Sequence, residues 1–230
     1  CQHFPGGVVE SFDGTAVSES QFIGRPYAEQ GGLDAGSLTG TFRWVAVWEW
    51  VDAQGNVCWS APSDPVRYEL DAGGPFGKAL VEIAPLNLTQ RFIGTVLVVL
   101  YRTISFGTEF YRVASQSAVA NSAIVFEDEL SDVALQSRRL LYKSPGMPGD
   151  FVDRSAPPGL HALCMFQDRL AGVADDGVTI WLSSWSVQGE SPYWSELFCQ
   201  VVSDGGPITA LASQDGILYV FKRSSIFAMA

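Results

Sequence analysis

The chain has 230 residues, 47% of them hydrophobic and 17% charged, with a formal net charge of −11. That composition excludes a disordered chain, and the length suits one large all-β domain or two ordinary ones. The acidic balance excludes a nucleic-acid reader that grips phosphates through clustered Lys and Arg, and no apolar run approaches the roughly 18–20 residues that span a bilayer.

Taken in order, Val8-Val9-Glu10-Ser11-Phe12 predicts a short strand turned by Asp13-Gly14, because glycine accepts the positive φ that such turns need. Gly24-Arg25-Pro26 and Gln30-Gly31-Gly32 predict a break, so residues 1–37 read as the end of one sheet followed by a linker. Residues 41–51 are dense in aromatic and β-branched side chains and predict a long strand. Its alternation puts Phe42, Trp44, Ala46, Trp48 and Trp50 on one face, and Arg43, Val45, Val47, Glu49 and Val51 on the other. Further strands are predicted over 57–60, 66–70, 78–84, 95–101, 110–114 and 122–126. The run TVLVVLY at 95–101 reads as a central strand buried on both faces. About seven strands between 38 and 127 fit a small sandwich. Residues 131–142 hold the one helical candidate, with an irregular return segment as the alternative, and the Pro- and Gly-rich stretch 143–159 predicts a linker.

The last seventy residues, 161–230, alternate short apolar runs with Asp-Gly turns at Ala174-Asp175-Asp176-Gly177 and Ser213-Gln214-Asp215-Gly216. This is the sequence form of repeated antiparallel hairpins, and its spacing suits a propeller blade better than a closed sandwich. The start at Cys1 without Met and the apolar end Ile226-Phe227-Ala228-Met229-Ala230 predict a piece of a longer protein.

Two sets of residues resemble known families. Val47-Trp48-Glu49-Trp50-Val51-Asp52-Ala53-Gln54-Gly55-Asn56, Ser60-Ala61-Pro62-Ser63, Leu100-Tyr101-Arg102-Thr103 and Gly107-Thr108-Glu109-Phe110-Tyr111 resemble a fibronectin type III-like module. Gln167-Asp168-Arg169-Leu170, Ile180-Trp181-Leu182-Ser183, Ser191-Pro192-Tyr193-Trp194 and the stretch from Gly206 to Lys222 resemble the β-propeller blades of tailed-phage short-tail proteins of the nozzle or DNA-stabilisation type. The resemblance implies an all-β fold in which a fibronectin III/Ig-like β-sandwich (38–145) is inserted into a partial propeller made of residues 1–37 and 146–230. It also implies a virion protein of the phage tail that acts by assembly and not catalysis. Its implied partners are further copies of itself in a ring, a hexamer in the family, with other tail and adaptor proteins, around DNA that passes without specific recognition. An acidic wall is compatible with that, because it repels DNA.

Each chemistry-bearing candidate also has a structural role open to it. Asp175, Gly177 and Thr179 match the Asp-box of sialidase propellers, with Val173 in place of its leading Ser and Trp181 one place late; even a true Asp-box is a hairpin device. Glu190 beside Tyr193 and Trp194 is the least poor carbohydrate site, since aromatic rings stack on sugars, and a carbohydrate-binding or carbohydrate-cleaving propeller for host receptor recognition is the alternative function. Glu127-Asp128-Glu129 with Asp132 offers oxygen ligands for Ca²⁺ without EF-hand spacing. Trp44, Trp48 and Trp50 read as sandwich core before a sugar platform, and Arg138-Arg139 with Lys143 as a salt-bridging surface before a DNA contact. His3 and His161 have no nucleophile context, and Gly31-Gly32 and Gly73-Gly74 do not fit a phosphate loop. Cys1, Cys58, Cys164 and Cys199 lie too far apart for a C-x-x-C motif and read as buried free thiols. No catalytic, cofactor-binding or metal residue is assigned.

Overall fold

The computed structural model describes residues 7–71, 76–142 and 154–230. Cys1, His3, Gly73, Gly74 and Lys143 therefore lie outside the described residues, as does much of the expected linker at 143–159. The protein is all-β: the described residues form seventeen strands in antiparallel sheets and a single α-helix. Two compact units emerge, one from residues 1–23, 51–58 and 153–230, the other from residues 24–50 and 59–152.

In the first unit, β1 (Glu10–Phe12) pairs with β2 (Val17–Glu19) across the expected Asp13-Gly14 turn. The Asp13 carboxylate closes that turn by accepting the backbone N–H groups of Thr15 and Ala16 at 2.8 and 2.7 Å.

The second unit begins with β3 (Ala28–Asp34), where a linker was expected. The Gly31-Gly32 pair does not break the strand but bulges it: the register against the partner strand slips between Gln30 and Gly32, and Gly32 has a φ of 136°. The chain continues through β4 (Gly40–Val51), β5 (Val57–Trp59, of which Val57 and Cys58 belong to the first unit), β6 (Val66–Leu70), β7 (Lys78–Ile83), β8 (Leu97–Thr103), β9 (Phe110–Ser117) and β10 (Ile124–Asp128). One sheet has the order β10-β7-β3; the other has β5-β4-β8-β9, with β6 also paired to β4. The expected tryptophan face is core: Phe42, Trp44, Ala46 and Trp48 are buried, as are Ala79, Val81 and Ile83 of β7. Tyr68 of β6 donates to the Leu80 carbonyl of β7, and the indole of Trp44 in β4 donates to Asp128 of β10, so both links join one sheet to the other.

On the opposite face of β4, Val45 and Val47 are also buried. They pack with Val99, Tyr101 and Leu141, so the chain after β10 covers this face. That chain contains the expected helix only as α1 (Asp132–Gln136), capped by the Ser131 hydroxyl. Beyond it the return segment runs beside β9, with Arg139 accepting from Arg112 N–H and Leu141 donating to Phe110. The run at 97–103 is buried at every position after Leu97, as a central strand requires.

The first unit resumes with β11 (Leu160–Phe166), β12 (Arg169–Ala174), β13 (Thr179–Ser183) and β14 (Trp194–Val201), a four-stranded meander in sequence order. It is followed by β15 (Ile208–Gln214), β16 (Ile217–Lys222) and β17 (Ile226–Met229), also in sequence order. The apolar stretch 160–170 forms two strands, because Gln167 and Asp168 adopt φ of 47° and 59° and form a two-residue hairpin turn.

The two meanders repeat one another. Leu160 and Ile208, and likewise Ala174 and Lys222, stand 48 residues apart and open and close equivalent hairpins. Both hairpins slip register after their first residue, at Leu160/Ala162 and at Ile208/Ala210. Both turn on two positive-φ residues, the second pair being Asp215 and Gly216. The faces repeat too. Leu218 and Val220 of β16 pack against Ala171, Val173 and Ile180 of the first meander. Their counterparts, Leu170 and Gly172, lie on the other face of the first meander, where Leu160, Ala174 and Trp194 gather around Val9.

Candidate functional site

The acidic run Glu127-Asp128-Glu129 does not open into a cation site; it closes on an arginine. The Arg102 side chain is fully buried and is held by Asp128 at 3.2 Å and Asp132 at 3.0 Å, with a further bond to the Leu130 carbonyl at 2.6 Å. Its guanidinium lies 4.8 Å from the Phe42 ring centre. Asp128 also accepts the Trp44 indole N–H at 2.7 Å and the Leu130 backbone N–H at 3.0 Å, while Asp132 accepts from Ser105. Glu127 instead pairs with Lys78 at 2.9 Å. Burial works against the Arg102 charge, and Asp128 and Asp132 work for it. The cluster thus ties β4, β8, β10 and the start of α1 together, and its carboxylates are already occupied by donors. Among the described residues no three His, Cys, Asp or Glu side chains gather as metal ligands.

In the hairpin between β12 and β13, Asp176, not Asp175, does the structural work. Its carboxylate accepts the N–H groups of Val178 and Thr179, both at 2.9 Å, and the Thr179 hydroxyl at 2.5 Å. Asp175 faces His161 at 3.5 Å. The Thr179 hydroxyl, followed by the Val178 N–H, holds the Asp176 carboxyl below its ordinary value of 3.8. A depressed folded-state value contributes stability that is present above the unfolded value and lost as pH falls through the folded one. Asp176→Ala is therefore expected to lower the urea midpoint at pH 6 and to have a smaller effect once the pH falls well below the ordinary carboxylate range. The cost is less than about 1 kcal/mol, because the turn is exposed and solvent screens it. A loss that did not shrink on acidification would contradict this role.

Glu190, Tyr193 and Trp194 were grouped as a carbohydrate candidate, and the structure separates them. Trp194 is 0% exposed and belongs to the core of the first meander, so it cannot stack on a sugar. Glu190 pairs with Arg154 at 3.2 Å, and the Arg154 guanidinium lies 4.4 Å from the Tyr193 ring centre. Among the other candidates, Trp44 and Trp48 are buried, and Trp50 carries the Arg91 guanidinium at 4.7 Å from its ring centre. Arg138 donates to the Val113 carbonyl at 2.6 Å and Arg139 lies 5.2 Å from the Trp59 ring centre, so both serve the return segment. Of the described cysteines, Cys58 is buried as expected, Cys164 is partly buried and Cys199 is exposed, because edge strand β14 leaves most of its side chains in solvent.

A cluster that sequence reasoning missed lies at the loop between β13 and β14. Ser184 and Tyr193 close the loop base, by a 2.7 Å backbone bond and by a 3.1 Å bond from the Tyr193 N–H to the Ser184 hydroxyl. Val57 fastens the loop from outside, donating to the Gly189 carbonyl and accepting from Ser191. The loop carries Trp185, 60% exposed, against Arg169 at the start of β12. The Arg169 guanidinium lies 4.3 Å from the Trp185 ring centre and 5.6 Å from that of Phe198, and its Nε donates to the Ser183 carbonyl at 2.9 Å. Burial lowers its pKa, opposed by the nearby Tyr193 phenol. No family model, curated protein or solved structure matches the chain. No helix among the described residues is long and apolar enough to cross a membrane.

Proposed function

We propose that this protein works by assembly rather than catalysis, as a structural wall element of a short phage tail of the nozzle or DNA-stabilisation type. The observation that carries the reading is the 48-residue repeat of the two meanders, each offering the same side to the element before it. Such a period and such nearest-neighbour packing are what propeller blades use to build a rigid wall. On this reading the half-buried side chains Tyr219 and Phe221, with exposed Ile226, form the face on which the next blade packs. The unit of residues 24–50 and 59–152, which interrupts the chain between β2 and β11, supplies contacts to neighbouring copies and to other tail or adaptor proteins. The net charge of −11 lets DNA pass without sticking.

The test is particle size and imaging. Light scattering and electron microscopy of the full-length protein are expected to show a closed ring of copies, and that ring is expected not to retain duplex DNA at physiological salt. A protein that stays monomeric even within assembled particles, or that holds DNA tightly, would overturn the reading.

A further inference from the structure

The loop between β13 and β14 has a feature that a wall does not need. Its base is closed by Ser184 and Tyr193, and Val57 fastens it from outside, so its conformation is set before anything binds. It holds an exposed indole, Trp185, against a guanidinium whose Nε is already committed to the Ser183 carbonyl. Arg169 forms no ion pair among the described residues, and unlike Arg43, Arg138 and Lys222, whose terminal nitrogens donate to backbone carbonyls, it is bonded to a carbonyl through Nε. Its remaining N–H groups form the planar fork that binds a carboxylate through two parallel hydrogen bonds.

We infer that Arg169 and Trp185 form a binding site for a carbohydrate bearing a carboxylate, such as a uronic-acid oligosaccharide. The carboxylate takes the Arg169 fork, and the apolar face of the sugar ring stacks on the Trp185 indole. The exposed side chains of Ser186 and Gln188 on the same loop supply partners for sugar hydroxyls. The charge distribution selects this ligand over a polyanion. A lone guanidinium beside this indole, in a chain of net charge −11, suits one carboxylate on a ring-sized unit, whereas nucleic acid or a strongly acidic peptide is repelled by the rest of the surface. The inference is independent of the wall reading, since it rests on side chains at a loop and not on how many copies assemble.

The experiment is a titration with trigalacturonate, followed by tryptophan fluorescence and calorimetry. It is run beside the fully methyl-esterified trimer and an oligoglutamate peptide. Saturable binding is expected for the free acid, with roughly 10–100-fold weaker binding of the ester, the loss of one charge-assisted pair. Arg169→Gln is expected to weaken binding by a similar factor and Trp185→Ala by about 10-fold, with melting curves confirming that each variant folds. If Arg169→Gln does not fold, the ester comparison still decides, because it removes the charge from the ligand side. Equal binding of acid and ester, no saturable binding of the acid, or tighter binding of oligoglutamate would overturn the assignment.

Discussion

Asp128→Ala is expected to destabilise the unit of residues 24–50 and 59–152 by about 3–5 kcal/mol, the usual cost of breaking one side of a buried ion pair. The reason is local. Asp128 and Arg102 both have side chains with 0% exposure, so removing the carboxylate leaves a buried guanidinium with Asp132 as its remaining acidic partner. It also strips the Trp44 indole of its acceptor. Arg102→Met combined with Asp128→Asn is expected to cost less than Asp128→Ala alone, because no fully buried charge remains, Asp132 is partly exposed and keeps its bond from Ser105, and the Asn carbonyl still accepts from Trp44. Urea denaturation of the single and double variants measures the coupling between the two positions. A cost under about 1 kcal/mol for Asp128→Ala would show that the pair is dispensable.

Trp194→Ala is expected to cost about 3–5 kcal/mol in the other unit, the range for deleting a large buried aromatic side chain. Trp194 packs with Val9, Leu160 and Ala174, so its loss opens a cavity between the first meander and the segment that leads into β1. Trp194→Phe is expected to be much milder, because the buried indole N–H finds no acceptor and its removal sacrifices no hydrogen bond. Hydrogen exchange at β11 and β12 reads this out directly, since the opening should be local to that unit. A fully stable Trp194→Ala protein would mean that the side chain is peripheral, as a surface sugar platform would require.

Much of the strand content was legible because strands announce themselves locally. The aromatic alternation at 41–51, the apolar run at 95–101 and the Asp-Gly turns at 13–14 and 215–216 each depend on residues adjacent in sequence. The hairpin turn at Gln167-Asp168 was missed because neither residue is glycine, yet both adopt positive φ. Strand β3 was missed because Gly31 and Gly32 read as breakers, whereas pairing with β7 turns them into a bulge. Strand β14 went unread because an edge strand with most side chains in solvent carries little apolar periodicity.

The candidate sites were less legible, for a different reason. Nothing near Glu127-Asp128-Glu129 in sequence reveals Arg102, which is 26 residues from Asp128 and meets it only when β8 and β10 are brought together. Trp194 beside Tyr193 looks like a surface pair, but Trp194 opens β14 with its ring in the core while Tyr193, just before the strand, stays partly exposed. The cluster of Arg169, Trp185 and Phe198 depends on β12, β14 and the loop between β13 and β14 meeting.

Composition and local pattern by themselves determined that this protein is all-β, acidic and built in part from repeated hairpins, because turn chemistry and two-residue periodicity act over a few neighbouring residues. Only the tertiary structure decided that the hairpins repeat with the same face forward, that the acidic run is a buried lock around Arg102, and that an arginine at the start of β12 meets an exposed indole on the loop between β13 and β14. Those features depend on the pairing of segments distant in sequence, and no short stretch of sequence encodes its partner.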